Sequence, residues 1–345
     1  MIDKNIFSTT YSIKDIKVDK QVTVFSCFSC CGGSTIGYKR AGFNVVGNVE
    51  IDKSINEIYV KNNNPKYTFN MDIRDFLNQE NLPNELLSLD ILDGSPPCTT
   101  FSSLGEKENS LGKIKKFHEG QKEQRLDDLF FYFIKVVEKL HPKVMVAENV
   151  AGMLNNRHYL IEIKNRLSSI GYSLQVFKLN AKYMDVPMQR ERLFFIANRM
   201  KYKPLSMNFN HKLITYSQIE DKQSQREFLK PGTKIYDLIK NNKQNESLCD
   251  THKRMFGKRS YFSSYIVRPD KPINCFDTTL AIYRRDFGKL TNLEIAKGAS
   301  FPIDFDFMGK IKVAVGMCVP PNMMANVANQ LWEQWFKKEK ENEQI

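Results

Sequence analysis

Short apolar runs alternate with segments of helical periodicity through the first 200 residues of the chain. The apolar runs predict six strands: Val22–Phe28, Val45–Glu50, Asp90–Asp93, Val144–Glu148, Ser173–Leu179 and Leu193–Asn198. The segments between them predict four helices: Thr35–Ala41, Lys53–Asn62, Leu126–Leu140 and His158–Ile170. Strands that alternate with helices are typical of a parallel sheet covered on both faces. We therefore predict an α/β fold with a doubly wound, mostly parallel sheet.

The alternation fades after Arg199. Polar segments, clusters of Asn and Gln, and isolated aromatic residues predict a smaller, irregular second domain there. Helical spacing returns from Met323 to Trp335. We therefore predict a first domain over residues 1–198, completed by a C-terminal segment over residues 313–336. A second domain covers residues 199–275, and a hinge that connects the two covers residues 276–312.

A polar segment, Ser103–Arg125, separates the third predicted strand from the third predicted helix. It contains Gly105, Gly112 and Gly120 and little apolar material. Polar loops of about twenty residues are uncommon in compact domains unless they are functional or disordered. Because this segment follows a candidate nucleophile, Cys98, we predict a mobile lid over an active site.

Composition describes a soluble globular protein, with 41% hydrophobic and 26% charged residues among 345. No apolar run approaches the roughly 20 residues that span a membrane, and the N-terminus lacks the apolar region of a signal peptide. We expect a cytoplasmic protein.

Positive charge is concentrated in one part of the chain. The net charge is +12, from 51 basic and 39 acidic residues. The segment Arg199–Cys275 holds 16 basic and 7 acidic residues, an excess of nine. Such an excess indicates a polyanionic partner, with a merely well-solvated surface as the alternative.

The seven cysteines argue against a disulfide framework, because their number is odd and they are scattered along the chain. Cys27 and Cys30 have CxxC spacing, which raises zinc or redox chemistry. No second CxxC or HxxxH accompanies them, so small buried residues at a strand end are the preferred interpretation, and we expect no metal.

Two predicted strands end in reactive side chains. Pro97-Cys98 follows one strand, and Glu148 ends the next, with Asn149 directly after it. Parallel strands deliver such residues to the same edge of a sheet, where open α/β folds bind ligands. A thiol nucleophile beside a carboxyl acid suits attack on an electron-poor ring. The alternatives are an inert buried thiol and a structural ion pair.

The first strand–helix connection suits a nucleoside. It reads Phe28-Ser29-Cys30-Cys31-Gly32-Gly33, and its glycines allow close approach of a ligand to the backbone. The GxGxxG spacing of dinucleotide sites is absent. Glu50, at the end of the second strand, is suited to ribose hydroxyls, and Asp72 to an adenine edge. Solvated or helix-capping acids are the alternative for both.

Taken in order, these motifs resemble those of the C5-cytosine DNA methyltransferases. The remaining matches are Gln189-Arg190-Glu191-Arg192, Lys289–Pro302 and Gly316–Pro321. The resemblance covers about residues 22–200 and 265–335. The variable middle segment corresponds to the target-recognition region of that family.

The resemblance implies a Rossmann-like class I methyltransferase sheet, S-adenosyl-L-methionine as cofactor, and methylation of a short double-stranded DNA site. It implies cofactor binding by Phe28, Ser29, Cys30, Cys31, Gly32, Gly33, Glu50, Ile51, Asp72, Ile73, Ser95, Pro97 and Val319.

The resemblance also implies a catalytic set. Cys98 would attack C6 of a flipped-out cytosine, and Glu148 would bind the N3/N4 edge and favour protonation at N3. Asn149 would hold the loop of Pro97 and Cys98. Arg192 would contact the O2 side of the base, and Arg190 would support the nucleophile loop.

Three positions depart from the family pattern. Met188 stands where glutamine is usual, Met317 follows Gly316 in place of asparagine, and Cys30 replaces a glycine. Details of cofactor binding are therefore open.

We predict a monomeric DNA cytosine-5 methyltransferase, either paired with a restriction endonuclease or acting as an orphan enzyme. One rival keeps the chemistry and changes the substrate to tRNA. The other is a silent DNA-binding protein on a methyltransferase scaffold.

Overall fold

The structure is a computed structural model that describes residues 6–97, 129–337 and 339. Its strands are β1 (Lys20–Cys27), β2 (Phe43–Val49), β3 (Tyr67–Phe69), β4 (Ile91–Gly94), β5 (Val144–Val150), β6 (Ser173–Asn180), β7 (Met188–Gln189), β8 (Glu191–Asn198), β9 (Tyr265–Ile266), β10 (Ile273–Asn274) and β11 (Ile282–Tyr283). Cys98 and the predicted lid, Ser103–Arg125, lie outside the described residues.

The α-helices are α1 (Gly33–Arg40), α2 (Lys53–Asn63), α3 (Ile73–Leu77), α4 (Leu129–Leu140), α5 (Arg157–Ser169), α6 (Tyr216–Ile219), α7 (Lys234–Lys240), α8 (Leu248–Phe256), α9 (Asn292–Gly298), α10 (Ile311–Met317) and α11 (Pro321–Leu331). Short 3-10 turns occupy Ile13–Asp15, Asn84–Ser88, Ala151–Asn155 and Ala181–Tyr183, and a π-helical turn, Trp332–Phe336, continues α11.

A seven-stranded sheet has the order β3-β2-β1-β4-β5-β8-β6. β3, β2, β1, β4 and β5 are parallel, whereas β8 pairs antiparallel with both β5 and β6. The predicted α/β class with a mostly parallel sheet is confirmed. The three-residue β3 was not predicted, because so short a strand carries no readable period.

The chain divides into two compact units. The second unit draws on Ile16–Asn180, Glu191–Asn208 and Met324–Ile345, and it contains the seven-stranded sheet. The first unit draws on Met1–Asp15, Ala181–Arg190 and Phe209–Met323. This division does not show which unit binds DNA. The recognition domain over 199–275 and the hinge over 276–312 therefore stay predictions.

In the second unit, α4 buries its apolar face against the sheet. Phe133 is fully buried in the same core cluster as Leu92 of β4 and Ala147 of β5. A Cβ added at Gly94 would lie 2.6 Å from Cε2 of Phe133, so only glycine fits the end of β4. This close packing fixes the edge from which the chain runs toward Cys98.

In the first unit, a buried acid organises the polar interior. Glu294 is fully buried, and its carboxylate receives two hydrogen bonds from Arg226, at 2.7 and 2.8 Å. The hydroxyl of Tyr216 donates a third, at 2.8 Å. A buried carboxylate is tolerated only when paired and hydrogen-bonded in this way.

Among the described residues, no helix is both long and apolar enough to cross a membrane.

We expect Phe133→Ala to lower the free energy of unfolding by about 3–5 kcal/mol, because it removes a buried ring and leaves a cavity. Urea denaturation measures the loss. Leu87→Ala is the control, since the Leu87 side chain is 52% exposed and should cost well under about 1 kcal/mol. Equal losses in both variants would contradict this packing.

Candidate functional site

The loop between β1 and α1 is wound through left-handed backbone conformations. The φ angles of Phe28, Cys30 and Gly32 are 52°, 47° and 92°. A Cβ added at Gly32 would lie 2.4 Å from Nδ2 of Asn63, so this glycine is required. Cys30 replaces a usual family glycine at a second left-handed position, where a side chain costs about 1 kcal/mol or more.

Glu50 follows β2, and its side chain is hydrogen-bonded to the β1–α1 loop. Its Oε2 accepts from the backbone N–H of Cys30 at 2.9 Å, and its Oε1 accepts from that of Asp52 at 3.0 Å. Burial raises the pKa of Glu50 to about 7, against the lowering effect of these two hydrogen bonds. A carboxyl group held in this way can also accept hydrogen bonds from hydroxyl groups. This is compatible with the predicted contact between Glu50 and the hydroxyl groups of a ribose.

Asp72 is engaged at the start of α3. Its Oδ1 accepts from the backbone N–H of Arg74 at 2.9 Å, and the Arg74 guanidinium pairs with Oδ2 at 2.7 Å. The helix-capping role considered for Asp72 is therefore present, and its adenine contact stays a prediction. Its neighbour Ile73 is buried, whereas Ile51, after Glu50, is exposed.

The segment after β4 is tied to the end of β5. Asn149 donates from Nδ2 to the carbonyl of Pro96 at 3.1 Å, and its own Oδ1 accepts from Val150 N at 2.9 Å. Ser95 donates its N–H to the Cys27 carbonyl at 3.4 Å. Pro97 is exposed. These contacts support the predicted holding role of Asn149, at the residue before Pro97.

Glu148 and Arg192 meet at the end of the sheet. The Arg192 Nε lies 3.0 Å from Glu148 Oε1, and Val150 and Arg192 are partners in the register of β5 and β8. The Glu148 side chain is 7% exposed. Yet Oε1 has no partner of hydrogen-bond geometry among the described residues, so the contact is an ion pair without a well-directed hydrogen bond. The acid keeps acceptor capacity for a ligand.

Sequence reasoning missed a second acid at this edge. Asp93 of β4 is 1% exposed, and its carboxyl accepts from Ser26 Oγ at 2.8 Å and from the Tyr38 hydroxyl at 3.3 Å. Burial first, and then the charge of Glu148, raise the pKa of Asp93 to about 7. The signal was an acid that ends an apolar run, with only Gly94 and Ser95 between it and the Pro-Pro-Cys motif.

Arg190 and Val319 belong to the first unit. Arg190 is 2% exposed, and its guanidinium donates to the carbonyls of Phe276, Gly316 and Cys318 at 3.1 to 3.3 Å. Its Nε is buried without a hydrogen-bond partner among the described residues. Val319 is buried. Arg190 thus organises the last motif, and its support of the nucleophile loop stays a prediction.

The two methionine departures have different surroundings. Met188 is fully buried, and its Sδ accepts the N–H of Phe276 at 3.2 Å, a place where an amide oxygen would also serve. Met317 is 57% exposed. Gly316, the first residue of the last motif, cannot be changed, since an added Cβ would lie 2.7 Å from the backbone nitrogen of Thr278.

Of the CxxC pair, Cys27 is fully buried in β1, and burial raises the pKa of its thiol well above the usual value. A thiol held protonated is a poor metal ligand and nucleophile. This favours the interpretation of Cys27 as a small core residue. Cys31 and Gly33 are also buried, and so is Ser29, whose Oγ accepts from Asn48 at 2.9 Å.

Comparisons with known proteins agree with the motifs. The chain is 29% identical over 329 residues to the type II methyltransferase M.HindV of Haemophilus influenzae, a match that covers 90% of this chain and 96% of that protein. It is 30% identical over 254 residues to M.FnuDI of Fusobacterium nucleatum, with 71% of this chain and 66% of that protein covered.

Solved structures share the fold. DNMT2 of Spodoptera frugiperda superposes with a TM-score of 0.65 at 15% identity and covers 90% of this chain and 100% of that one. A putative DNA modification methyltransferase from a prophage of E. coli superposes with a TM-score of 0.64 at 19% identity, covering 91% and 99%.

The family model described as C-5 cytosine-specific DNA methylase matches residues 22–333, from β1 to the π-helical turn after α11. The resemblance drawn from the motifs is thereby confirmed. The chain belongs to the C-5 cytosine-specific DNA methylases, the S-adenosylmethionine-dependent enzymes that methylate cytosine in DNA.

Proposed function

We propose that this enzyme methylates C5 of a flipped-out cytosine in a short double-stranded DNA site, through a covalent adduct between Cys98 and C6. The observation that carries the proposal is the ion pair of the buried Glu148 with the partly buried Arg192, beside a segment that Asn149 ties down directly before Pro97 and Cys98. An acid and a cation at this edge suit the polar edge of one pyrimidine.

Covalent addition solves a problem of reactivity. C5 of cytosine is too weak a nucleophile to take a methyl group directly, so the reaction is split into two easier steps. The Cys98 thiolate adds to C6, and the electrons of the C5–C6 double bond move to C5. C5 takes the methyl group; its proton is then lost to solvent, and Cys98 leaves as the double bond re-forms.

Glu148 supplies the proton that this addition needs. Addition at C6 places negative charge on the ring, and a proton at N3 neutralises it. The side chain of Glu148 is buried, and Oε1 still has acceptor capacity, as an acid that binds the N3/N4 edge requires. Arg192, paired with it, would lie toward O2 of the same ring.

The residues around the β1–α1 loop fit the cofactor. Glu50 offers a carboxyl held by two backbone N–H groups, and the loop from Phe28 to Gly33 brings backbone close to the sheet edge. S-adenosylmethionine supplies an electrophilic methyl group when bound. Glu50 would orient the ribose, and Ser95 and Pro97 would border the methyl group.

Base flipping is required because the enzyme must reach C6 of the cytosine. C6 of cytosine is stacked inside a duplex, where the thiol of an enzyme cannot reach it. The base must therefore leave the stack and enter the site. The unstacking cost of a few kcal/mol is offset by contacts such as those of Glu148 and Arg192.

A basic and aromatic surface on the first unit suits the DNA itself. Lys253 and Lys258 are exposed, and neither forms an ion pair among the described residues. Phe256 and Phe262 are 55% and 63% exposed, which is unusual for large rings. Lysines would bind phosphates and the rings would contact bases or sugars.

Two arginines of the same region are already paired with acids. Arg254 forms an ion pair with Glu246 at 2.9 Å, and Arg259 forms one with Asp250 at 2.6 Å. We therefore place the main phosphate contacts on the lysines.

The relatives are named as type II methyltransferases, which supports a place in a restriction-modification system. We propose that the enzyme protects a site that a companion endonuclease cleaves, and that it acts as a monomer. Methylation of tRNA and binding without catalysis are the outcomes that the following tests separate from this proposal.

The covalent step is tested by trapping with a duplex that contains 5-fluorocytosine at the methylated site. We expect the wild-type enzyme to form a stable adduct in the presence of cofactor, because fluorine cannot leave C5 as a cation. Cys98→Ala should form none, and Cys249→Ala, which removes another cysteine, should form it normally. Gel electrophoresis under denaturing conditions measures the adduct.

An adduct with the Cys98→Ala variant would contradict the assigned nucleophile. No adduct with any DNA, together with tight binding, would identify a silent binder. Faster methylation of tRNA than of duplex DNA would give the enzyme an RNA substrate.

We expect Glu148→Gln to lower kcat by about 10²- to 10⁴-fold, because an amide cannot give N3 a proton. Binding of duplex DNA should change far less. Glu162→Gln is the matched control, since Glu162 pairs with Arg166 on α5. Single-turnover methyl transfer and a binding titration measure the two quantities, and unchanged turnover in Glu148→Gln would remove this acid from the mechanism.

Lys258→Ala and Phe262→Ala should weaken DNA binding in different ways. Loss of one phosphate contact should reduce the slope of log K against log salt by about 0.9. Loss of the ring should lower affinity at every salt concentration and leave the slope unchanged. Lys164→Ala, an exposed lysine of α5, is the control. If neither variant differs from this control, the surface does not bind DNA.

A further inference from the structure

A buried series of polar side chains links the β1–α1 loop to the edge strand of the large sheet. Asn48 of β2 is fully buried, and its Nδ2 donates to Ser29 Oγ at 2.9 Å and to Asn56 Oδ1 at 2.8 Å. Asn56 of α2 donates in turn to Oγ1 of Thr68, in β3, at 3.2 Å. All four residues belong to the second unit. One residue of the loop is thereby connected to β2, α2 and β3.

The amide of Asn48 is costly for the fold. Its Oδ1 is buried and has no hydrogen-bond partner among the described residues. A buried amide oxygen without a partner destabilises the folded state. Two other residues of the same strand, Val46 and Val49, belong to the apolar core. Packing alone therefore does not account for an amide at this position, whereas its two donated hydrogen bonds do.

The loop itself needs to be held. Ser29 lies between Phe28 and Cys30, whose φ angles of 52° and 47° are left-handed. This conformation is unfavourable for residues other than glycine, and it persists only where the surroundings hold it in place. The backbone N–H of Ser29 reaches the Val49 carbonyl only at 3.4 Å. The shorter bond from Asn48 to the Ser29 hydroxyl is thus an important link between this loop and the sheet.

Two side chains at the end of β2 hold consecutive residues of the loop. Asn48 binds the hydroxyl of Ser29, and Glu50 accepts from the backbone N–H of Cys30 at 2.9 Å. The backbone of Glu50 continues the pairing with β3, through a bond to the Phe69 carbonyl at 3.1 Å. Because side chains alternate along an extended strand, these two side chains, two residues apart, lie on the same face.

We infer that Asn48 is a positioning residue for the cofactor: it holds Ser29, and with it the β1–α1 loop, in the conformation that binds S-adenosylmethionine. The inference rests on the proposed placement of the cofactor at this loop and adds a residue to it. Asn48 is fully buried and acts through Ser29, itself only 7% exposed. The Ser29 side chain serves the loop, and its backbone serves the cofactor.

The effect of losing this amide is a change in population. When a ligand binds only one conformation of a loop, its apparent affinity falls with the fraction of molecules that hold that conformation. Without Asn48, Phe28 and Cys30 can leave the left-handed region, and fewer molecules are ready to bind. Bound cofactor selects the binding conformation again. The Kd and KM of the cofactor should therefore rise, while kcat at saturating cofactor should not fall.

The first test is calorimetric titration of the full chain with S-adenosylmethionine in the absence of DNA. Asn48→Ala should raise the Kd by about five- to thirtyfold, the range expected for one buried hydrogen bond. At saturating cofactor, kcat should change by less than about threefold. The KM for DNA should stay at the wild-type value. An unchanged Kd, or a fall in kcat with no rise in KM, would overturn the inference.

A double-mutant cycle tests the hydrogen bond itself. Ser29→Ala removes the acceptor and keeps the contact between Asn48 and Asn56, so it should raise the Kd by about three- to tenfold. The double variant Ser29→Ala/Asn48→Ala should bind the cofactor no more weakly than Asn48→Ala alone, because both changes remove the same bond. Losses that simply add would show that the two residues act separately, and would overturn the inference.

Asn198→Ala is the matched control for a loss of stability. Asn198 is a buried asparagine of the same sheet, and its Oδ1 accepts from the backbone N–H of Tyr202 at 3.3 Å. It pairs in register with Val144, the first residue of β5, and so lies at the end of the sheet away from the β1–α1 loop. Asn198→Ala and Asn48→Ala should both melt at a lower temperature than wild type. Only Asn48→Ala should lose cofactor affinity, and an equal loss in both would overturn the inference.

Glu50→Ala separates failure of the inference from failure of the proposed function. Weaker cofactor binding in Glu50→Ala together with wild-type affinity in Asn48→Ala would overturn the inference and leave the proposed site intact. Unchanged affinity in both variants would remove the cofactor from this loop, and would overturn the proposed placement and the inference together. The titrations contain no DNA, so their outcome does not depend on the trapping of Cys98.

Discussion

The parallel register of β1, β4 and β5 is the constraint on which the site depends. It places Ser26, Asp93 and Val146 side by side, and one further alternation brings Glu148 to the same edge. Because hydrogen bonds between the strands fix this register, the two acids cannot separate without breaking the centre of the sheet. Backbone pairing thus determines which side chains come together at this end of the sheet.

The antiparallel strand β8 adds the cation. Its direction places Arg192 opposite Val150, the last residue of β5, directly after Glu148 and Asn149. A parallel strand at this position would have brought the start of β8 to the opposite edge of the sheet. The reversal of one strand therefore supplies the buried acid with a cationic partner at a place with little water.

Much of the fold was readable from the sequence, because each long element has a strong period. The predicted helix over Lys53–Asn62 and the observed α2 differ by one residue, and the predicted strand over Ser173–Leu179 differs from β6 by one. The direction of β8 was not readable, since strand direction depends on connections and packing rather than on local pattern. Asp93 was missed for a related reason: its significance comes from a neighbour fifty-five residues away in the sequence.

The site residues divide in the same way. Glu148, Arg192 and Asn149 were predicted by resemblance, and the structure brings these three together with Pro96. Asp72 and Arg190 use their polar atoms for a helix start and for backbone carbonyls, contacts that no motif reveals.

The contact of Phe133 with Gly94 has a consequence for variation among related enzymes. It joins the first turns of α4 to the end of β4, so both anchors of the intervening chain are held together by the core. Closing a chain between fixed anchors costs only about 0.6 kcal/mol for each doubling of its length. Insertions and deletions between the two anchors should therefore be thermodynamically cheap, and natural homologues are free to differ in length there while the anchors themselves stay unchanged.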